Sequence, residues 1–322
     1  MKKGSVVVFG GAGFIGSHLS DDLVKSNEYS KVYSFDLRDP AKAIDGVEYI
    51  RGDVRERINE EIFRDVVKVY NFAAVHTTPG HPDHEYYETN VLGALNICDF
   101  CRRAGVQEIV FTSSISVYGP SEDRKSEDSK PAPISAYGWS KLLAERIHEV
   151  WLSESDLRSL IVCRPAVIFG HREGGNFARL AKLLKKGFFI FPGRKDTIKA
   201  CYYVKHLISA FKYAESKKSK YILFNASYKD RYTLEKIVNE IELANGRKVL
   251  KVLFPKISVL LAANILRPMS IAGLGIHPDR VLKLIRSTDI QPNWLTSEGI
   301  SDNVSFEAAI QDWKAETSGQ FD

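Results

Sequence analysis

The sequence predicts an α/β protein with a doubly wound parallel sheet and a smaller, mostly helical C-terminal lobe. Short apolar runs alternate with amphipathic stretches through the first 170 residues, as in sheets whose parallel strands are joined by crossover helices. The first run, residues 6–9, is apolar throughout, which is typical of a strand buried on both faces. Beyond Gly170 the alternation changes, so we assign the later part of the chain to the second lobe.

A glycine-rich turn follows the first strand and precedes a helix. Gly10 permits the tight turn, Gly13 lets the backbone approach a pyrophosphate, and Gly16 lets helix and strand pack closely. The free N–H groups and the positive dipole end of a helix N-terminus attract an anion. Strand, turn and helix together therefore predict a Rossmann-type dinucleotide site.

A carboxylate closes the second predicted strand, residues 31–35. Asp36 stands about 20 residues past the glycines, where a carboxylate can accept hydrogen bonds from both hydroxyls of an adenosine ribose. The same charge repels a 2′-phosphate, so we expect NAD rather than NADP. Arg38 lies two residues further on and weakens this preference without reversing it.

The remaining elements follow in order along the chain. Predicted strands cover residues 47–50, 68–74, 108–114, 158–164, 200–204 and 221–225. Predicted helices cover residues 88–104, 136–155, 176–187, 206–215 and a segment capped by Thr233, and residues 120–134 form a predicted loop. We expect residues 1–172 to be an NAD-binding domain joined by residues 200–226, and residues 173–199 and 227–322 to be the substrate-binding lobe.

The composition is that of an ordinary globular protein, with 44% hydrophobic and 26% charged residues. A net charge of +5 spread over interleaved acidic and basic residues argues against a nucleic-acid-binding protein. Cys98 and Cys101 lie in an apolar predicted helix, so we interpret them as buried thiols and expect no metal site. The N-terminus enters the first strand directly, which leaves no room for a signal peptide and predicts a cytoplasmic location.

Polar and small residues follow the third and fourth predicted strands, where ligands of such sheets gather. Asp53 is positioned to meet an adenine amino group, although a loop or helix cap is an equally good interpretation. Ala73 and Ala74 are small enough to let a dinucleotide pass. His76 and Thr77 come next, at the expected substrate cleft.

Tyr137 and Lys141 are four residues apart on a predicted helix and therefore share one face. A neighbouring ammonium and a cationic nicotinamide would both lower the pKa of the phenol and favour its phenolate. Ser114, at the end of a neighbouring strand, can hydrogen-bond the same substrate oxygen. This set predicts removal of an alcohol proton coupled to loss of a hydride to NAD.

These motifs resemble those of the extended short-chain dehydrogenases/reductases, and among them the NAD-dependent sugar epimerase/dehydratase family, including its UDP-glucose and UDP-GlcNAc 4-epimerase-like proteins. The resemblance lies in G-G-A-G-F-I-G at 10–16, Asn90-x-x-Gly93, S-S-x-S-V-Y-G at 113–119 and Y-G-x-S-K at 137–141. It implies that Tyr137 is the base, Lys141 its partner and Ser114 the serine of the triad, in a homodimer. The implied NAD contacts are Gly10, Gly13, Phe14, Ile15, Gly16, Asp36, Arg38, Asp53, Val54, Phe72, Ala73, Ala74, Asn90, Thr112, Tyr137 and Lys141.

The chain departs from the family pattern at the substrate side. Sugar dehydratases of this family carry an Asp-Glu pair after the triad hydroxyl, whereas this chain has Ile115 and Ser116, which disfavours dehydration. By resemblance Asn176 meets a diphosphate, and Arg194 and Lys199 could neutralise one, unless both are solvated surface residues.

The expected function is that of an NAD-dependent 4-epimerase that acts on a nucleotide- or polyprenyl-diphosphate-linked sugar through a 4-keto intermediate. A net dehydrogenase or reductase of a sugar or sterol-like hydroxyl is the alternative, followed by a non-catalytic NAD-binding protein.

Residues 249–276 are unusually apolar for a polar substrate lobe. Charged residues and prolines interrupt the segment, so no part of it is long enough to span a bilayer. One interpretation is a buried helical pair. The other is a surface that rests on the cytoplasmic membrane face, with Lys251, Lys256 and Arg267 among the lipid headgroups.

Overall fold

The computed structural model describes residues 2–77, 80–255 and 285–321. The chain divides into two compact units. The first unit comprises Met1–Gly119, Ser129–Pro165 and Val204–Ala226, and the second comprises Pro120–Asp128, Ala166–Tyr203 and Ser227–Asp322.

Thirteen strands are defined among the described residues. In chain order they are β1 (Lys3–Phe9), β2 (Tyr29–Asp36), β3 (Val47–Arg51), β4 (Val66–Asn71), β5 (Glu108–Thr112), β6 (Ser121–Lys125), β7 (Ser159–Pro165), β8 (Val167–Phe169), β9 (Phe188–Gly193), β10 (Cys201–Tyr203), β11 (Tyr221–Ala226), β12 (Leu250–Pro255) and β13 (Thr288–Ile290).

The helices of the described residues are α1 (Phe14–Ser26), α2 (Asp83–Tyr87), α3 (Gly93–Arg103), α4 (Ala136–Ser153), α5 (Asn176–Lys185), α6 (Val204–Ser216), α7 (Leu234–Asn245), α8 (Asn293–Ser297) and α9 (Phe306–Glu316). Short 3₁₀ turns cover Glu60–Ile62, Ile115–Tyr118 and Ser301–Asn303, and a π-helical stretch covers Glu88–Leu92 between α2 and α3. The predicted helix at 88–104 therefore begins earlier than expected, at Asp83, and is interrupted by this π turn.

The first unit is built on a seven-stranded parallel sheet in the order β3-β2-β1-β4-β5-β7-β11. Each neighbouring pair is parallel, as in the register Val6–Val32 between β1 and β2. β1 lies inside the sheet, and its apolar residues are fully buried, which confirms the interpretation of the first apolar run. The doubly wound parallel sheet expected from the sequence is thereby confirmed.

Helices and aromatic side chains bury one face of this sheet. Phe100 of α3 packs edge-on against Phe9, with ring centres 5.7 Å apart, and against Phe63 at 5.2 Å. Cys98 and Cys101 are buried in the same core with free thiols, as expected. Such edge-to-face contacts add to the stabilisation from apolar burial.

The second unit combines helices with three pairs of short parallel strands, β8–β10, β9–β12 and β6–β13. The sequence indicated a mostly helical lobe and a loop at 120–134, yet β6 lies within that loop. β10 lies within the predicted strand 200–204, whereas β6, β8, β9, β12 and β13 were not predicted, because their sequences show no sustained alternation. The core of this unit is aromatic, with Phe169 stacked on Phe177 at 4.6 Å and packed against Trp313 at 5.9 Å.

Only the first residues of the apolar segment 249–276 fall within the described part of the chain. They form β12, and the remainder, from residue 256 to 276, lies outside the described residues. Among the described residues, no helix combines the length and the apolar character needed to cross a membrane.

Candidate active site

The glycine turn after β1 leaves no room for side chains. Gly10 has a φ of 78°, and a Cβ placed on it would lie 2.7 Å from the backbone nitrogen of Ala73. A Cβ on Gly16 would lie 2.3 Å from the carbonyl oxygen of Gly10. Helix α1 follows Gly13 with no side-chain hydrogen bond at its N-cap. A close-approach turn with such a helix end fits the pyrophosphate of a dinucleotide.

Asp36 ends β2 and faces this turn. Its carboxylate accepts a hydrogen bond from the Ala12 N–H at 3.2 Å and another from the Arg38 N–H at 3.0 Å. The Asp36 side chain is mostly buried, whereas the Arg38 side chain is exposed, and Nε of Arg38 lies 3.9 Å from the carboxylate. A negative charge is therefore fixed beside the glycines, where an adenosine ribose would be recognised.

Two further predicted NAD contacts already have protein partners. Asp53 accepts hydrogen bonds from the Arg55 guanidinium, at 2.8 Å from Nε and 2.6 Å from Nη2, and this interaction lowers the pKa of its carboxyl. The Asn90 amide donates to the Val75 carbonyl and to Ser140 Oγ and accepts from the Val75 N–H. Asn90 thus fastens the segment after β4 to helix α4, and contacts of Asp53 and Asn90 with NAD stay predictions.

The other predicted NAD contacts lie around the turn and the ends of the central strands. Val54 is buried against Gly93 of α3, where an added Cβ would come within 2.9 Å of its side chain. Phe72 follows β4 and stacks on Phe211 of α6 at 5.5 Å. Thr112 ends β5 and is buried. Phe14 and Ile15 open α1, and Ala73 and Ala74 follow Phe72.

Helix α4 carries the central pair of the predicted site. Its N-cap is Ser135, whose hydroxyl accepts a hydrogen bond from the Gly138 N–H at 3.1 Å. Lys141 lies one turn after Tyr137 and is only 2% exposed. Its Nζ lies 4.7 Å from the centre of the Phe111 ring. Burial lowers the pKa of Lys141 to about 7, and the nearby Glu145 opposes that shift.

Ser114 reaches the same place from the end of β5. It caps the Ile115–Tyr118 turn through a 3.1 Å hydrogen bond from the Ser116 N–H, and it hydrogen-bonds Tyr137. Burial raises the pKa of Tyr137, and the Ser114 hydrogen bond lowers it only partly. The lowered pKa expected from a neighbouring ammonium together with a cationic nicotinamide stays a prediction. The chain alone does not lower it, because the cost of burying a phenolate exceeds the stabilisation that these neighbours give.

His76 and Thr77 lie beside this group. Burial lowers the pKa of His76, and the charge of Lys141 lowers it further, so the two side chains are within electrostatic reach of each other. The carbonyl of Thr77 accepts a 2.6 Å hydrogen bond from the Tyr86 hydroxyl. The ring of Tyr86 lies 6.1 Å from that of Tyr137. The first unit thus brings together the predicted triad and the predicted residues that follow β4.

In the second unit, helix α5 begins at Asn176. The Asn176 amide oxygen accepts a hydrogen bond from Arg179 at 2.9 Å. Glu173 was not predicted from the sequence, and its carboxylate accepts from the N–H groups of Ala178 at 2.8 Å and Phe177 at 3.4 Å. A carboxylate two or three residues before a helix is a capping signal that the sequence did contain.

Arg194 and Lys199 are held by partners in the second unit. Arg194 pairs with Glu122 at 3.1 Å and with Asp196 at 2.8 Å. Lys199 donates to the Arg286 carbonyl at 2.7 Å. Burial lowers the pKa of Lys199 to about 8, with Glu122 raising and Arg194 lowering it. The charges of Arg194 and Lys199 therefore influence each other, and both interact with Glu122. Glu122 was not predicted from the sequence.

Comparison with known proteins is consistent with this geometry. The chain is 28% identical over 249 residues to the N-acetyl-alpha-D-glucosaminyl-diphospho-ditrans,octacis-undecaprenol 4-epimerase of Escherichia coli O157:H7, covering 76% of this chain and 73% of that protein. It is 39% identical over 163 residues to the UDP-glucose 4-epimerase of Neisseria meningitidis serogroup C, covering 46% of this chain and 47% of that one. The match thus spans about half the length of that relative.

A solved structure extends the likeness. MoeE5 in complex with UDP-glucuronic acid and NAD superimposes with a TM-score of 0.69 at 26% sequence identity, over 78% of this chain and 85% of that chain. The model of the NAD dependent epimerase/dehydratase family matches residues 6–225, which include the glycine turn and the Ser114, Tyr137 and Lys141 group. The protein therefore belongs to the NAD dependent epimerase/dehydratase family.

Proposed function

We propose that this enzyme is an NAD-dependent sugar 4-epimerase that acts on a sugar joined to a diphosphate. The observation that carries the proposal is the grouping of Ser114, Tyr137 and Lys141 in the unit that holds the glycine turn and Asp36. The E. coli relative is named as a 4-epimerase of an undecaprenol-linked sugar, and MoeE5 holds a nucleotide sugar with NAD.

Two parts of the dinucleotide would bind at the glycine turn and Asp36. The N–H groups that open α1 face the tight turn at Gly10 and Gly13 and would bind the pyrophosphate, and Asp36 would bind the adenosine ribose. When bound, NAD would supply a hydride acceptor for the oxidised sugar carbon and, once reduced, the hydride donor for the opposite face of the 4-keto sugar.

Tyr137 is the group that would take the proton of the 4-hydroxyl at its phenol oxygen. Ser114 hydrogen-bonds Tyr137 and is placed to hold the same substrate oxygen while negative charge develops on it. Because burial raises the pKa of Tyr137, a phenolate forms only when positive charge is close. The charged form of Lys141 supplies such charge from the neighbouring turn of α4.

The reaction type is tested with purified protein and a nucleotide-sugar or polyprenyl-diphosphate-sugar donor. Turnover with retained NAD and no net absorbance change at 340 nm is the expected result. A steady change at 340 nm would instead identify the alternative, a dehydrogenase or reductase that uses the same residues. Absence of both with NAD bound would identify a non-catalytic NAD-binding protein.

Tyr137→Phe tests the role of the base. We expect turnover to fall by on the order of a hundredfold or more, the usual contribution of an acid–base group. The matched control is Tyr221→Phe, which removes the exposed hydroxyl of a tyrosine at the sheet edge and should leave the larger part of the turnover. Near-normal turnover of Tyr137→Phe with NAD retained would remove Tyr137 from the mechanism.

The substrate's diphosphate is assigned, as part of the proposal, to Asn176, Arg194 and Lys199 of the second unit. Arg194 and Lys199 bring two cationic donors into one region, and a bound diphosphate would take over donors that now bond Glu122, Asp196 and the Arg286 carbonyl. His76 and Thr77 are assigned to the sugar.

A lipid carrier on this diphosphate is the finer form of the proposal, with the enzyme docked on the cytoplasmic membrane face. The paired strands β9 and β12 expose six large apolar side chains, each 40–66% accessible: Phe188, Ile190, Leu250, Val252, Leu253 and Phe254. Lys251 is already paired with Glu242 and hydrogen-bonded to Asn239. The protein would therefore bind the membrane through apolar contacts rather than through this lysine.

Flotation with anionic liposomes tests the docking. Wild-type protein should float and Leu250→Glu/Val252→Glu should not. Leu157→Glu in the first unit changes a leucine that is 74% exposed and should float like the wild type. Wild-type protein that stays unbound at low salt would contradict membrane contact.

We further propose a homodimer formed through helices α3 and α4. These helices expose Leu95, Trp139, Leu143 and Val150 on the first unit, more apolar surface than an isolated helix pair normally leaves in water. Light scattering should give twice the 36.2 kDa chain mass for the wild type and the chain mass for Leu143→Glu. A monomeric wild type would reject the dimer.

A further inference from the structure

One turn after Lys141, helix α4 carries a second buried charge. Glu145 is 1% exposed, and each of its carboxylate oxygens accepts a hydrogen bond from Arg164 of β7, from Nε at 2.9 Å and from Nη2 at 2.8 Å. The pair is bidentate, so the carboxylate is fixed in orientation as well as in position. It lies on the helix face that also carries Tyr137 and Lys141.

Arg164 is itself anchored. Its Nη1 donates to the Tyr118 hydroxyl at 3.0 Å, and that hydroxyl donates to the Asn225 amide oxygen at 2.8 Å. Tyr118 ends the 3₁₀ turn that Ser114 caps, and Asn225 belongs to β11. A buried chain of hydrogen bonds therefore connects the turn of Ser114, two strands of the sheet and the helix of Tyr137.

The other titratable groups around Lys141 carry no charge at neutral pH. On α4, burial holds the pKa of His148 at about 4 and raises that of Tyr137. From the segment after β4, His76 has a lowered pKa as well. On the side of β5, Lys141 meets the uncharged ring of Phe111. Among the described residues, Glu145 is thus the acidic group that acts on Lys141, and its carboxylate is bonded to Arg164.

We propose that Glu145 is a positioning residue for Lys141, and that the Glu145–Arg164 pair sets how much of this lysine is charged at neutral pH. The bidentate bonds direct the carboxylate of Glu145 towards Arg164. The negative charge of Glu145 therefore stabilises the charged form of Lys141 only in part. This leaves the lysine able to lose its charge within the working pH range. The inference rests on the proposed function, because the charged lysine is what stabilises the Tyr137 phenolate.

Glu145→Gln removes the charge with little change of shape. The titration of Lys141 is followed by NMR of the protein with ¹³Cε-labelled lysine, and the signal is assigned by its loss in Lys141→Met. We expect the midpoint to fall by one pH unit or more, which means about tenfold less charged lysine above the midpoint. The pH at which kcat/KM falls on the alkaline side of its profile should decrease by the same number of pH units.

Glu145→Asp separates charge from packing. It alters the shape more than Gln does but keeps the negative charge, so the midpoint should stay within about half a unit of the wild type. Glu149→Gln, one turn further along α4 and paired with Arg146, is the matched control and should leave the midpoint of Lys141 unchanged. An unchanged midpoint in folded Glu145→Gln would overturn the proposal.

Removing the carboxylate alone leaves Arg164 buried without its counter-ion, and that variant could fail to fold. Glu145→Gln/Arg164→Gln removes both charges, and its Lys141 midpoint should also lie below that of the wild type. A midpoint equal to or above the wild-type value in this double variant would overturn the proposal. The titration needs no substrate, so a shifted midpoint without epimerase activity would reject the proposed function and leave this inference standing.

Discussion

Lys141 places a positive charge in a part of the first unit where water hardly reaches it. Its pKa of about 7 lies well below the value of an unfolded lysine, near 10.4, so the unfolded chain binds more protons between these two pH values. Stability contributed by this site therefore rises as the pH increases from 7 to about 10, and the full cost of the buried charge is present below pH 7.

Lys141→Met should accordingly stabilise the fold while abolishing turnover. We expect the free energy of unfolding at pH 6 to rise by on the order of 2–4 kcal/mol, with the gain shrinking towards pH 10. Urea unfolding at pH 6 and pH 9.5 measures both values. Lys25→Met on α1, an exposed lysine paired with Asp21, is the control and should show no comparable gain. Equal stability of Lys141→Met and wild type at pH 6 would contradict a costly buried charge.

We expect Asp36 to govern the choice between the two nicotinamide cofactors. Its carboxylate beside the glycine turn should favour NAD over NADP by at least tenfold in affinity, a difference of about 1.4 kcal/mol. Calorimetry on the wild type measures the two affinities, and Asp36→Asn should narrow the gap. If wild-type protein bound both cofactors equally, the exposed Arg38 would dominate the site instead.

At the scale of residues, spacing along the chain predicted the group of Ser114, Tyr137 and Lys141, and the structure places Ser114 in hydrogen-bond contact with Tyr137. Spacing was not enough to find Arg164 as the partner of Glu145, 19 residues away, or Asn225 as the partner of Tyr118, 107 residues away. Only the folded sheet brings these pairs together. The raised pKa of Tyr137 in the chain without cofactor was also beyond sequence spacing, because burial depends on tertiary packing, and the lowering expected beside a cationic nicotinamide stays a prediction.

Among the elements, helix α4 depends on its N-cap for the position of its first turn, which holds Tyr137. Ser135→Ala removes the bond to the Gly138 N–H and should lower the free energy of unfolding by about 1 kcal/mol and reduce kcat. Thr233→Ala removes the equivalent cap of α7 in the second unit. It should cost similar stability without the same loss of kcat, and matching losses of kcat in both variants would refute a local effect.

The π-helical stretch before α3 shows what element prediction misses. The sequence predicted one regular helix at 88–104, whereas the chain inserts a π turn at Glu88–Leu92. Such turns often occur at functional sites, and this one carries Asn90, which holds both the Val75 backbone and Ser140 of α4. The distortion depends on contacts made 15 and 50 residues away, so local pattern gives no sign of it.

For the molecule as a whole, the four cysteines offer a measure of global opening. All are buried as free thiols, and burial raises the pKa of Cys98 to about 12 and also raises those of Cys101 and Cys201. The native protein at pH 8 should react with Ellman's reagent at far less than one equivalent over minutes, and with four equivalents in urea. A cysteine that reacts equally fast in both conditions would show that its site is open in the native state.

The alternation of strands and helices predicted the parallel sheet, yet it did not assign residues 120–128 to the second unit. Their strand, β6, pairs with β13, whose first residue Thr288 is aligned with Ser121. Two strands that pair across more than 160 residues of sequence show no hydrophobic periodicity that would reveal the pairing in either strand. Charged and proline-rich composition predicted a loop at 120–134 and gave no sign of this strand or its partner.

The position of β1 inside the sheet has a consequence for synthesis on the ribosome. The first five sheet strands are adjacent in the final order and are all complete by residue 112, so a nascent chain can build outward from its first strand without rearrangement. β7 and β11 then extend only the β5 side. Until residues 159–165 emerge, the open N–H and C=O groups of β5 can pair with a strand of a neighbouring nascent chain on the same polysome.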